Sequence, residues 1–121
     1  MPGRVRARRG WTRPACAGTI CGMSAHESLG IGEFQQRIRN IYFERDNARG
    51  AAETFRWLIE EVGELARAMR GSDQDNLREE FGDVLAWVVS LASIPGVDME
   101  QAAAKYNRGC PKCGETPCAC A

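Results

Sequence analysis

Apolar side chains between residues 30 and 108 recur at helical intervals, not strand intervals. Phe34, Ile38, Ile41 and Tyr42 advance by steps of four, three and one, the stripe of a helix and not the alternation of a strand. A first helix is therefore predicted over residues 32–48, opened by Gly30 and Gly32 and stopped at Gly50. A second runs from Ala51 to Arg70, with Phe55, Leu58, Ile59, Val62, Leu65, Ala66 and Met69 at spacings of three and four as its inward stripe. Gly71 is its expected stop, and Ser72 or Asp73 the next cap. A third helix is predicted from Asp73 to Ser93, with Leu77, Phe81, Val84, Leu85, Val88, Val89 and Ala92 inward and Pro95-Gly96 as its end. A short fourth helix, Asp98 to Tyr106, starts on Asp98 as cap.

No segment reads as a strand. Ala86-Trp87-Val88-Val89 is β-prone in isolation but sits inside a helical stripe. Short links between amphipathic helices predict an all-α antiparallel bundle of three to four helices. So few short helices leave a broad apolar face, which points to a homodimer or higher oligomer.

Composition narrows the class. The chain of 121 residues is 44% hydrophobic and 26% charged, enough for one domain with a modest core. No apolar run approaches the roughly 18–20 residues of a membrane helix. The formal net charge of zero hides segregation. Residues 1–22 hold Arg4, Arg6, Arg8, Arg9 and Arg13 and no acid, which leaves a net of −5 on the rest. An acidic domain is poorly suited to a nucleic-acid backbone but well suited to a cation, or to a substrate that arrives with one. Residues 1–29 are expected to form a disordered basic extension. They lack the apolar core of a secretory signal and the amphipathic pattern of a transit peptide. Translation from Met23 explains residues 1–22 better than a nucleic-acid arm does. A cytoplasmic location is expected.

The acids form a pattern. Glu61 and Glu64 lie one turn apart on the flank of the second helix's apolar stripe, and Glu80 and Asp83 do the same on the third. If the two helices pack antiparallel, four carboxylates meet on one seam. Arg67 can reach Glu64, but Glu61, Glu80 and Asp83 have no basic neighbour three or four residues away. Such a cluster repels itself, and hard oxygen donors suit Mg2+ or Mn2+. A solvated acidic face is the plainer reading of any charge run. The repeated spacing weighs against it, as do Trp57 and Trp87 on the same side. Those rings can stack a planar base or pack in a subunit interface.

The run Glu60-Glu61-x-x-Glu64, fifteen residues, then Glu80-x-x-Asp83 resembles the signature of the MazG-like all-α nucleoside triphosphate pyrophosphohydrolases. Three stretches resemble the family as well: Tyr42-Phe43-Glu44-Arg45-Asp46, Leu58-Ile59-Glu60-Glu61-Val62-Gly63-Glu64-Leu65 and Glu79-Glu80-Phe81-Gly82-Asp83-Val84-Leu85-Ala86-Trp87. The likeness spans residues 34 to 108. It implies Mg2+-dependent hydrolysis of a nucleoside triphosphate to the monophosphate and pyrophosphate, for removal of aberrant nucleotides, with sites beside the subunit interfaces of a homodimer or homotetramer. By position it makes Glu61, Glu64, Glu80 and Asp83 the metal ligands and gives Glu60 a part in orienting or activating water. Carboxylates cannot bind a polyphosphate directly, so metal ions must bridge, neutralise it and acidify the attacking water. Lys105 and Arg108 resemble the family's phosphate contacts. Alternatively they complement the dipole of a helix C-terminus. Arg45 is open between a phosphate contact and a partner on its own helix.

Residues 109–121 carry Cys110-x-x-Cys113 and Cys118-x-Cys120. The first pair, followed by Gly114, has the form of half a zinc knuckle. The second is tighter than usual zinc spacing. A structural Zn2+ leads two disulfides and an unstructured reducing tail. No His or Glu there suggests catalysis. Cys16 and Cys21 receive no role, and Met69 and Met99 read as packing. The lone His26 tells against a di-iron site built on Glu-x-x-His. Besides hydrolysis, two other functions fit less well. One is a non-catalytic metal-binding interaction module with a zinc-knuckle tail; the other is a nucleic-acid-associated regulator.

Overall fold

A computed structural model describes residues 28–121. The expectations for residues 1–27, including His26, Cys16 and Cys21, lie outside the described residues. Within them the chain is helical, with no strand: α1 is Ile31–Arg49, α2 Ala51–Ala68, α3 Gln74–Ser93 and α4 Met99–Ala103, the last running into a single 3₁₀ turn at Ala104–Tyr106. The fourth predicted helix is thus an α turn followed by a tighter one, as is common at helix ends.

The breaks have local causes. Gly50 ends α1 and begins α2 with φ 88° and ψ 164°, a region essentially restricted to glycine. One residue therefore suffices to redirect the chain. Asp73 caps α3 by accepting the N–H groups of Asp75 and Asn76, and Asp98 caps α4 by accepting that of Gln101. The second helix ends two residues before the predicted Arg70. Met69 and Arg70 turn out of it, and the Gly71 N–H donates to the Ala68 carbonyl.

α2 and α3 form the tightest pair and run antiparallel, since Trp57 stacks on Trp87 while Glu64 lies close to Glu80. α1 packs on α3. Gln35 donates to Ser93 Oγ at 3.2 Å and to the Val97 carbonyl at 2.8 Å, and its Oε1 accepts the Met99 N–H at 2.9 Å. One amide thereby ties α1, α3 and the start of α4 together.

The predicted inward stripes are divided. Leu58, Leu65, Leu77, Val84, Val88, Val89 and Ala92 are buried or half-buried, whereas Ala66 is exposed. Phe55, Ile59, Val62, Met69, Phe81 and Leu85 also keep between 42% and 64% of their surface in solvent. Ile38 and Val89 of the stripes are buried, but they share the interior with Ala68, Asp46, Thr54, Glu80, Ser90 and Ser93, which the stripes did not include. Small and hydroxyl side chains let the axes approach, which leaves the bulkier residues on a free face. Ser93 returns its hydroxyl to the Val89 carbonyl at 2.8 Å, so it enters the interior with its donor satisfied.

Thr54 is different. Its side chain is fully buried and its Oγ1 has no hydrogen-bond partner. An unsatisfied buried hydroxyl costs about 1–3 kcal/mol, and valine has nearly the same shape. Thr54→Val is therefore expected to stabilise the fold by roughly 1 kcal/mol, measured as an increase in urea midpoint at constant slope. A loss of stability would show that the hydroxyl is bonded in solution.

Candidate functional site

The antiparallel α2–α3 pair brings acids from two helices to one place. Carboxylate oxygens of Glu61, Glu64 and Glu80 all lie within 4.8 Å of one another. Glu80 is buried, Glu61 and Glu64 are half-buried, and Asp83 is exposed one turn along α3. Asp83 stands outside the tight trio but close enough to act on Glu61 electrostatically. Glu60 is exposed beside them. A cavity of about 110 Å³ opens next to the trio, lined by Glu64, Glu80, Arg67, Asn76 and Asp73 among others.

Crowding of like charge shows in the protonation. Loss of water around Glu61, followed by repulsion from Asp83, Glu64, Glu80 and Glu60, raises its pKa from 4.5 to about 7. Asp83 is raised too, first because surrounding protein displaces water although the side chain still reaches solvent, then by Glu79 and Glu64. The ion pairs among the described residues are Glu33–Arg37, Asp46–Arg49, Glu53–Arg56 and Asp75–Arg78. None takes Glu61, Glu64 or Asp83, and Arg67 does not bridge to Glu64. The trio fits a small hard cation. Octahedral Mg2+ with oxygens at about 2.0–2.1 Å spans roughly 4 Å between opposite ligands. Small side-chain adjustments would close the present spacing onto one ion.

Trp57 of α2 and Trp87 of α3 meet each other across the helix pair. Their ring centroids are 6.2 Å apart and the planes differ by 12°. A base inserted between two rings needs about 7 Å of separation, so the pair in this arrangement offers an outer surface and not a slot. Arg49, which sequence reasoning did not single out, places its guanidinium 5.3 Å from the Trp87 ring and is paired at 3.0 Å to the buried Asp46. Asp46 follows Ile38 by eight residues, about 80° round the helix from it, so spacing alone marks it only weakly. Arg45 lies over the Tyr42 ring at 5.1 Å, a partner on its own helix.

Lys105 and Arg108 are both exposed. They follow α4, which packs on the beginning of α1 near Ser93. From Glu80 to Ser93 is thirteen residues of α3, roughly 20 Å. The fold does not bring these two cations to the acids of the same chain.

The four cysteines of the tail are brought together. Their sulfurs all lie within 4.8 Å of one another. Backbone N–H groups of Glu115 and Ala119 lower the Cys113 thiol to about 6, and those of Cys113 and Lys112 lower Cys110. Bonds from Cys118, Cys113 and Cys110 raise Cys120 to about 11.

No helix among the described residues is long and apolar enough to cross a membrane. A search of curated proteins finds no match. The family model of the MazG nucleotide pyrophosphohydrolase domain matches residues 49–114, more than half of the chain. That span contains α2, α3 and every acid of the seam. Acids, helices and matched residues coincide, and the chain belongs to the MazG nucleotide pyrophosphohydrolase family.

Proposed function

We propose that the protein hydrolyses a nucleoside triphosphate, canonical or aberrant, to the monophosphate and pyrophosphate. Mg2+ or Mn2+ would be held by Glu61, Glu64, Glu80 and Asp83. The observation that carries this reading is the convergence of three carboxylates from two helices in a chain of this family. When bound, divalent ions supply neutralisation of the polyphosphate and acidification of water.

The protein's own residues have separable parts. Glu61 and Glu64 present oxygens from α2 and Glu80 from α3, and Asp83 extends the set along α3. Glu60, exposed beside Glu61, orients the attacking water or accepts its proton. Trp57, 37% exposed, offers the outer surface of the indole pair to a base, with Trp87 and Arg49 behind it. Lys105 and Arg108 meet the phosphates from a second copy of the chain, because within one chain they follow α4 at the far end of α3. The free apolar face of α2 and α3 is where that copy docks, in a dimer or tetramer. Removal of aberrant nucleotides in a reducing cytoplasm is the setting this chemistry suits.

The test is pyrophosphate release across canonical, deoxy and damaged nucleoside triphosphates with Mg2+ or Mn2+. Release with a monophosphate product, abolished by EDTA and restored by excess Mg2+, is the expected result. Silence on every triphosphate, with Mg2+ still bound, would favour the non-catalytic metal-binding module instead.

A further inference from the structure

The C-terminal tail is ordered in a way its surroundings do not explain. Residues 111–121 are all exposed and Cys110 is only half-buried, so no hydrophobic core holds this segment. A short segment without a core needs a crosslink or a metal to keep one shape. Yet the turn is specific. The Gly114 N–H donates to the Cys110 carbonyl at 2.7 Å, and the Cys110 N–H to the Glu115 carbonyl at 3.1 Å. Gly109, at φ 110°, sits where a Cβ would fall 2.8 Å from the Gly114 carbonyl oxygen and 2.9 Å from that of Glu115. Only glycine lets the returning backbone pass so close.

The four sulfurs form one cluster, not two bonded pairs. Cys110 and Cys120 have Sγ atoms 3.7 Å apart, and Cys113 and Cys118 3.9 Å. A disulfide would require about 2.05 Å. Four sulfurs at about 2.3 Å from one tetrahedral Zn2+ stand roughly 3.8 Å from each other. Backbone N–H groups point at the sulfurs: those of Lys112 and Cys113 at Cys110, those of Glu115 and Ala119 at Cys113, and that of Cys120 at Cys118, 3.4 Å away. Such donors stabilise thiolates and fix ligand orientation.

We infer that Cys110, Cys113, Cys118 and Cys120 bind one structural Zn2+ as a closed tetrathiolate site, separate from the carboxylates of α2 and α3. All four coordination positions come from the protein, so no place is left for water or substrate. The site staples the chain end and performs no hydrolysis. Soft sulfur donors select zinc, whereas the oxygen donors of the acidic seam select Mg2+ or Mn2+. The two centres therefore sort their ions by donor chemistry within one chain.

The experiment is elemental analysis of the full-length chain purified under reductant, with Glu61→Gln and Cys113→Ser in parallel. One zinc per chain is expected in the native protein and in Glu61→Gln, and background zinc in Cys113→Ser. Exchange into Co2+ is expected to give a thiolate-to-cobalt charge-transfer band and the intense visible bands of a tetrahedral ion, both missing in Cys113→Ser. If that variant expresses poorly, Cys118→Ser tests the same loss. The inference is overturned by protein that stays zinc-free after refolding with equimolar Zn2+ under reductant. It is equally overturned by iron in place of zinc, by an intact mass showing two disulfides, or by zinc lost in Glu61→Gln and kept in Cys113→Ser. None of these readouts uses nucleotide hydrolysis, so they stand apart from the proposed reaction.

Discussion

Glu61→Gln is expected to lower pyrophosphate release by at least about a hundredfold while raising the melting temperature of the metal-free protein at neutral pH. Both effects follow from one carboxylate. Glutamine keeps the shape and the helix propensity but loses the charge that would draw a divalent ion into the trio with Glu64 and Glu80. The stability effect has a definite sign. The folded-state pKa of Glu61 lies above its ordinary 4.5, at about 7. Between those values the native state binds more protons than the unfolded chain. Metal-free stability is therefore highest below about pH 4.5 with respect to this group, and declines as pH rises toward about 7. Asp83, also raised, adds to the same slope. Because Glu61 is only half-buried, solvent screening reduces its contribution to about 1 kcal/mol. Glu61→Gln flattens that decline, and Mg2+ reverses it in the native protein by stabilising the ionised trio. Thermal melts from pH 5 to pH 8, with and without Mg2+, read all three effects. Full turnover in Glu61→Gln would remove this residue from the ligand set, and loss of helix content would make its role structural.

The double substitution Ile59→Ser with Leu85→Ser is expected to convert an assembled protein into a monomer and lower its melting temperature by roughly 10 °C. The register fixed by Trp57 on Trp87 and Glu64 beside Glu80 puts Ile59 level with Leu85. They are 53% and 51% exposed, and Phe55, Val62, Phe81 and Met69 are also open on α2 and α3. In a monomer, exposed positions tolerate polar residues with changes of about 0.5 kcal/mol or less. In a symmetric assembly each side chain is buried twice, at about 1.5–3 kcal/mol apiece. Sedimentation and the concentration dependence of melting separate these cases. A native chain that sediments as a monomer, with melting independent of concentration, would overturn the assembly. Neither residue belongs to the acid trio. A matching fall in pyrophosphate release would show that the site is completed by a second copy.

Much of this architecture was legible in the residues. Caps at Asp73 and Asp98, the break at Gly50 and the helical identity of α2 and α3 followed from local rules that the fold obeys. The acid trio was legible because spacing of three on each of two antiparallel helices leaves little freedom. The core was harder. Periodicity shows that Ile59 and Phe81 share faces with other apolar residues, but not whether those faces meet inside the chain. The interior instead closes on Thr54, Ala68, Ser90 and Ser93, whose small side chains shorten the approach of helices. Met69, read as packing, is 64% exposed for the same reason. Asp46 was missed because a buried acid breaks the apolar pattern that marks a core. Lys105 and Arg108 could be placed on an element but not beside a site, because their position depends on how Gln35 anchors α4.

The stacked indoles have a practical consequence. Trp57 precedes Glu61 by four residues and Trp87 follows Asp83 by four, so each ring stands one turn from a proposed cation ligand. Emission and near-ultraviolet dichroism from such a pair change when a neighbouring charge is neutralised or a base comes to rest on a ring. The molecule thus contains an intrinsic optical reporter where nucleotide and cation would meet. Binding can be followed without a fluorophore, and separately from turnover.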